Sequence, residues 1–155
     1  MRGRTHVAFA LAMWMAILIA RRAALDLVAL LPVCLGALLP DIDHPVSPAS
    51  TSTRMTQSVS SLVTRVTAHR GATHSILAAC ILTASAVPFL VFYNAKLVFA
   101  VAFLFGYLSH IFADSMTVSG VRPFMPLSNL RVRVLPRPMS TGGRAERVLL
   151  KFLLL

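Results

Sequence analysis

Two side chains four residues apart set the chemical question. His110 and Asp114 close the most apolar run of the chain, in the stretch GYLSHIFADSMT at 106–117. Four residues on a helix is about one turn, so both side chains share one face. An imidazole and a carboxylate stacked in that way can hold one divalent ion between them. A plain hydrogen-bonded polar pair uses the same spacing, so the company these two keep decides the matter. The chain has five acids (Asp26, Asp41, Asp43, Asp114 and Glu146) and five histidines (His6, His44, His69, His74 and His110). Every histidine lies at the edge of an apolar segment or in the long polar loop that leads to one.

The sharpest of the other clusters is Leu39-Pro40-Asp41-Ile42-Asp43-His44-Pro45. Two carboxylates and an imidazole between prolines form a rigid turn of ligand-type groups. Oxygen and imidazole nitrogen together suit zinc, manganese or iron. A helix-ending turn in which aspartates cap backbone amides is the simpler use of such residues, but it needs neither the second acid nor the histidine. The next cluster is His69-Arg70-Gly71-Ala72-Thr73-His74-Ser75. Thr73 or Ser75 can cap the helix that follows, which puts His74 at its positive end, where anions are favoured. Arg70 offers forked donors for a phosphate or another oxyanion, or contacts lipid headgroups in a basic loop. His6 opens the first apolar segment. It is a surface histidine if it stands alone and a ligand if its helix end joins the others. Tyr107 and Ser109 can donate a hydrogen bond behind His110, although Tyr107 suits core packing better. No G-x-S-x-G or H-E-x-x-H motif occurs, so serine-nucleophile and thermolysin-like routes have no support.

The elements that must position these groups are hydrophobic helices. The 155 residues fit one domain, 1–155. They are 57% hydrophobic and 13% charged, with a mean hydropathy of +0.76, which is a membrane protein's composition. The expected architecture is an all-α polytopic membrane bundle of about four crossings, at 6–20, 25–39, 75–93 and 97–113. A polar loop spans 40–74, with 58–66 a candidate interfacial helix, and a basic tail runs from 120 to 155. The basic start and short apolar run at 1–20 resemble a signal peptide, but no A-x-A pattern precedes Arg21, so an uncleaved helix is expected. Pro32 and Gly36 interrupt the second segment and are tolerated in membrane helices. The last residues, VLLKFLLL, are too short to span and suit an interfacial helix.

The net charge of +10 flanks apolar runs instead of lying among aromatics on a soluble scaffold. It therefore points to membrane orientation and anionic headgroups and away from nucleic acid. With four crossings, twelve of the fifteen Lys and Arg residues fall on the side of the termini and the 40–74 loop. The positive-inside rule makes that side cytoplasmic and gathers every histidine there. Cys34 and Cys80 lack metal-type spacing and are expected as buried free thiols. An ionised carboxylate deep in a bilayer costs about 2.5–3.5 kcal/mol on insertion scales. A divalent ion offsets that cost and lowers the pKa of bound water towards about 7.

Taken together, THVAFA, LPDIDHP, HRGATHS and GYLSHIFADSMTVSGV resemble the YdjM-type inner-membrane family, described as membrane-bound metal-dependent hydrolases. The likeness spans roughly residues 3–130 and extends more weakly to Pro126-Leu127 and to Ser140-Thr141-Gly142-Gly143 with Glu146. It implies that His6, Asp41, Asp43, His44, His69, Arg70, His74, His110 and Asp114 are functional positions. The His-x-x-x-Asp pair is also distantly similar to zinc-dependent phospholipase C and related single-strand nucleases, which implies phosphoester substrates. The expected function is a bacterial inner-membrane hydrolase of a phospholipid or other membrane-associated ester. Its cofactor is a divalent ion, with zinc preferred and manganese or iron as alternatives. Asp41, His69, His110 and Asp114 are the core ligands, and His6 and His74 complete one or two sites. Asp43 or His44 is the general base or a further ligand, and Arg70 clamps the substrate anion. A non-catalytic protein with a structural or transport-related metal site is the alternative, and a metal-free membrane scaffold is a third.

Overall fold

The computed structural model describes residues 1–43 and 72–155, without the side chains of residues 42, 43 and 72. The described chain is all-helical, with five α-helices and no strand among the described residues. Helix α1 (Gly3–Ala20) is rich in the strong helix formers Ala, Leu and Met. It ends where Arg22 takes a positive φ of 50° and the chain reverses. Helix α2 (Leu30–Leu38) lies between two 3₁₀ turns, Leu27–Ala29 and Leu39–Asp43. Pro32 falls in its first turn, where the missing N–H has no intrahelical partner to lose. Helix α3 (Ile76–Phe92) is capped by Ser75, whose Oγ accepts from the Ala78 N–H at 3.1 Å. Asn94, at φ 50°, turns the chain into α4 (Val98–Ser115). Helix α5 (Arg144–Leu153) closes the chain.

Helix α4 is the central element and packs against α1, α2 and α3. Its closest partner is α2, and glycine makes that approach possible. A Cβ on Gly36 would meet the Phe103 carbonyl oxygen and the Tyr107 nitrogen, and one on Gly106 would meet the Val33 carbonyl and the Ala37 nitrogen. The two helix backbones therefore touch directly, the small-residue packing that membrane helices use. Around this contact the core is built from small residues, with Ala10, Ala29, Ala37 and Ala102 buried beside Val33 and Trp14. Trp14 packs against Phe105 with ring centroids 5.2 Å apart.

Large apolar side chains point the other way. Leu31, Ile81, Val101, Phe89 and Phe92 are exposed, the last two by 68% and 80%. Small residues inside and large apolar ones outside is the distribution of a bundle surrounded by lipid. Cys80 also lies on the outward surface and Cys34 is half-buried, so the thiols are not both interior as expected. Both sit on helices whose outer faces are apolar.

Helices α1 and α4 are each 18 residues long and apolar enough to cross a membrane, whereas Leu27–Asp41 and Ile76–Phe92 are shorter apolar helices. At the far end from His110, Lys96 reaches Asp26 at 2.8 Å and ties the start of α4 to the start of α2. At the His110 end, residues 116–143 wrap the bundle without a helix. Isolated bridges Thr117–Met139 and Val121–Val132 fold this segment on itself. The Val134 N–H donates to the Ser115 carbonyl at 3.0 Å, and the Ile76 N–H to the Pro123 carbonyl at 2.9 Å.

Because the obstruction at Gly36 and Gly106 is backbone, side-chain rearrangement cannot relieve it. Gly36→Val and Gly106→Val are each expected to lower stability by at least about 1–3 kcal/mol. Thermal denaturation in detergent, with the exposed Ala84→Val as a neutral control, checks this.

Candidate metal centre

Four elements deliver five ligand-type side chains to one point at the end of the bundle. His6 comes from the first two turns of α1, and Asp41 from the 3₁₀ turn after α2. His74 ends the 3₁₀ turn Ala72–His74 before α3, and His110 and Asp114 lie one turn apart on α4. The His6, His74, His110 and Asp114 side chains are at most 3% exposed, and that of Asp41 is 16% exposed.

Asp114 is the hub. Its Oδ1 lies 3.3 Å from His6 Nε2, and its Oδ2 lies 3.6 Å from His74 Nε2 and 3.7 Å from His110 Nε2. Asp41 Oδ1 is 3.7 Å from both His74 Nε2 and His110 Nε2. The His6 and His110 rings stack with centroids 3.6 Å apart, and His74 meets His110 edge-on at 5.2 Å. These N–O separations of about 3.3–3.7 Å are mostly too long for good hydrogen bonds. They are close to the roughly 3.3–3.5 Å between ligands that each stand ~2.0–2.1 Å from a tetrahedral ion.

The tautomer of His110 follows from its other nitrogen. Nδ1 is 2.7 Å from the Ala37 carbonyl oxygen, which can only accept, so Nδ1 donates to it; in the neutral ring the lone pair is then on Nε2. That buried Nε2 has no hydrogen-bond partner among the described residues, and neither has the buried His6 ring. Polar atoms so deeply buried are normally satisfied. A buried imidazole nitrogen facing two carboxylates is an arrangement that suits a bound cation. The groups His6–Asp41–His110 and His74–His110–Asp114 each keep their ligand atoms within 4.8 Å of one another and could hold a metal ion. A cationic group already lies against Asp114, the Met1 α-amino nitrogen standing 2.5 Å from Oδ1.

The support behind the ligands differs from expectation. Neither Tyr107 nor Ser109 backs His110. The Tyr107 hydroxyl donates to the Thr73 carbonyl at 2.5 Å, fixing the turn that carries His74, while its ring is buried in the core. Ser109 Oγ bonds back to the Gly106 carbonyl of its own helix. The Ala37 carbonyl takes the role instead, because Gly36 and Gly106 bring the α2 backbone against α4. Ser75 caps α3, so His74 precedes the helix. His44, His69, Arg70 and the 58–66 segment lie outside the described residues, as does the Asp43 side chain.

Against known proteins, the family model described as "YdjM inner membrane protein" matches residues 1–153. The chain belongs to this family. It is 36% identical over 118 residues to the uncharacterized protein YvsG of Bacillus subtilis, and 37% identical over 116 residues to the inner membrane protein YdjM of Escherichia coli. These alignments cover 74% and 73% of the chain but only 66% and 56% of the relatives' own lengths. No solved structure matches. Family membership and the two long apolar helices make this a membrane protein.

Sequence reasoning left the role of Glu146 open. It is buried, with Oε1 accepting from the Arg2 N–H and the Thr5 hydroxyl, both at 2.7 Å, and Oε2 from the Gly142 N–H at 2.6 Å. Its burial pushes the carboxyl pKa up, but the three donors outweigh this and hold it below its ordinary value near 4.5. A depressed folded-state pKa means that the stabilisation is complete above the unfolded value and is lost as pH falls through the lower folded one. The stability advantage of wild type over Glu146→Gln is therefore expected to be full above the ordinary glutamate value near 4.5 and to be lost as pH falls below it. Thermal midpoints of both proteins on either side of that value check it.

Proposed function

We propose that this protein is a membrane-bound hydrolase that uses one divalent metal ion, zinc by preference, to cleave a phospholipid or another membrane-associated phosphoester. The observation that carries the metal is the buried His110 Nε2, its ring oriented by the Ala37 carbonyl, standing 3.7 Å from both Asp41 and Asp114 without a hydrogen-bond partner among the described residues. His110 belongs to both candidate ligand groups, and an imidazole Nε2 has a single lone pair to give. One ion, its ligands drawn from His6, Asp41, His74, His110 and Asp114 with one position left open, is therefore favoured over two, and His69 is a further candidate ligand.

When bound, such an ion supplies Lewis acidity toward the ester and toward water. The chain's own residues do the rest. Asp43 or His44, next to Asp41 in sequence, accepts the proton from attacking water. Arg70 holds the substrate anion through its forked donors. Four crossings, with α2 and its flanking turns and α3 as the shorter two, put the site on the cytoplasmic side together with both termini. The exposed cations Arg131, Arg133, Arg137, Arg144, Arg147 and Lys151 lie on the segment that wraps this end and on α5. They favour anionic headgroups there.

A second reading draws on the enclosure of the centre. Four of its five ligands are almost fully buried, and a closed, ligand-saturated site suits a structural or transported ion. Metal analysis of detergent-purified protein separates the possibilities. The expected result is one zinc per chain, lost in His110→Ala and Asp114→Ala variants that still fold, with hydrolysis of phospholipid vesicles by the loaded wild type only. Zinc bound without turnover of any phosphoester favours the structural or transport reading. Absence of bound metal after reloading refutes both.

A further inference from the structure

Helix α1 begins without the device that a helix usually supplies for itself. Its N-cap, Arg2, makes no side-chain cap, and its first turn contains no acidic residue. Yet this turn must place His6 in the metal centre. The missing acceptor comes from the other end of the chain, where Glu146 Oε1 takes both the Arg2 N–H and the Thr5 hydroxyl at 2.7 Å. The negative charge also stands at the positive end of α1. The Arg2 carbonyl in turn accepts from the Thr5 N–H at 2.9 Å and the His6 N–H at 3.2 Å. Glu146 thus grips the peptide that carries His6, one hydrogen bond removed.

The carboxylate is itself held from behind. Gly143 is the N-cap of α5, which makes Glu146 its third residue, and its Oε2 reaches back to the Gly142 N–H at 2.6 Å. This is close to a capping box. Gly142 adopts φ +74°, and a Cβ there would meet the Arg2 guanidinium, so the turn at 140–143 lies directly on the start of α1. On the same side of α5, Leu149 and Leu153 pack into the cluster of Met1, Phe9 and Ala113. One carboxylate caps two helices, and it is 2% exposed.

We propose that Glu146 is a positioning residue for the metal centre: by capping α1 from α5 it fixes His6 against His110 and Asp114, so that the C-terminal helix completes a site to which it contributes no ligand. The consequence for metal affinity rests on the metal reading above, but the effect on His6 does not. In metal-free, full-length protein in detergent, carbethoxylation of the histidines is read residue by residue by mass spectrometry. Glu146→Ala raises modification of His6 and leaves His74 and His110 protected. Glu146→Gln, which keeps an oxygen acceptor for Arg2 and Thr5, restores most of the protection. Zinc binding, measured by competition with a chromophoric chelator, weakens about 10–100-fold in Glu146→Ala, as for other groups that orient ligands from behind. The His6→Ala/Glu146→Ala double variant binds no more weakly than His6→Ala alone, because both changes act through one ligand.

Unchanged labelling of His6 in Glu146→Ala overturns the proposal. So does simultaneous labelling of all three histidines, the mark of general loosening, and so does full additivity in the double variant. Where Glu146→Ala does not fold, Thr5→Val removes one of its two contacts to α1 and gives a smaller rise confined to His6, or the proposal fails. A wild type that binds no zinc refutes the metal centre while the labelling still decides the role of Glu146.

Discussion

The structure is arranged around a carboxylate that has been taken out of water. Asp114 sits near the end of a long apolar helix, α4, and a buried carboxylate is tolerated only with cationic or proton-donating company. The Met1 α-amino group supplies that company at Oδ1, and three imidazole Nε2 atoms stand 3.3–3.7 Å from the two oxygens, where a bound cation would complete the balance. None of these groups is near it in sequence except His110. The rest of the fold can be understood as what is required to bring them there: α1 delivers His6, the turn before α3 delivers His74, and the turn after α2 delivers Asp41.

Delivery to a single point demands that helices approach closely. Four elements cannot all reach one carboxylate across bulky side chains, and the α2–α4 contact shows how the chain meets this. Gly36 and Gly106 let backbone meet backbone, which also places the Ala37 carbonyl within 2.7 Å of His110 Nδ1. The same pair of glycines thus sets the helix spacing and the histidine tautomer. With small residues turned inward, the large apolar side chains are left on the outside, where lipid accepts them without cost. Packing, tautomer and membrane residence follow from one constraint.

Much of this was legible in residue types. Histidines at the edges of apolar segments, with acids beside them, mark polar groups gathered at one end of a helical bundle, and such a gathering is what the described residues show. Segment existence was legible because long apolar runs leave few alternatives. Boundaries were less so: α1 begins three residues before His6, and the second segment resolves into a 9-residue α-helix between 3₁₀ turns. The support behind the ligands was not legible, for a physical reason. A backbone carbonyl such as that of Ala37 has no signature in side-chain chemistry, so attention falls on nearby hydroxyls, and Tyr107 and Ser109 turn out to bond elsewhere. Glu146 was obscure for a related reason. A carboxylate that caps a helix 141 positions away from itself in sequence leaves no periodic trace, and the apolar residues around it read only as an amphipathic tail.

That long-range cap changes how the C-terminal segment should be regarded. An amphipathic helix at a membrane surface needs only a basic face and an apolar one, and α5 has exposed Arg144, Arg147 and Lys151 together with exposed Val148 and Phe152. Nothing in that role calls for a buried acid on its inner face. Burying Glu146 is unfavourable unless its donors are held in place, and its three donors, two backbone N–H groups and the Thr5 hydroxyl, come from two tight segments, the start of α1 and the 140–143 turn. The arrangement therefore links the position of the tail helix to the geometry of the first histidine. A site whose ligands come from four separate elements has no existence in the unfolded chain, so any ion it binds stabilises the assembled bundle as a whole. Through Glu146 that coupling extends to α5. Whatever holds the tail helix in place also favours the arrangement in which His6 faces Asp114.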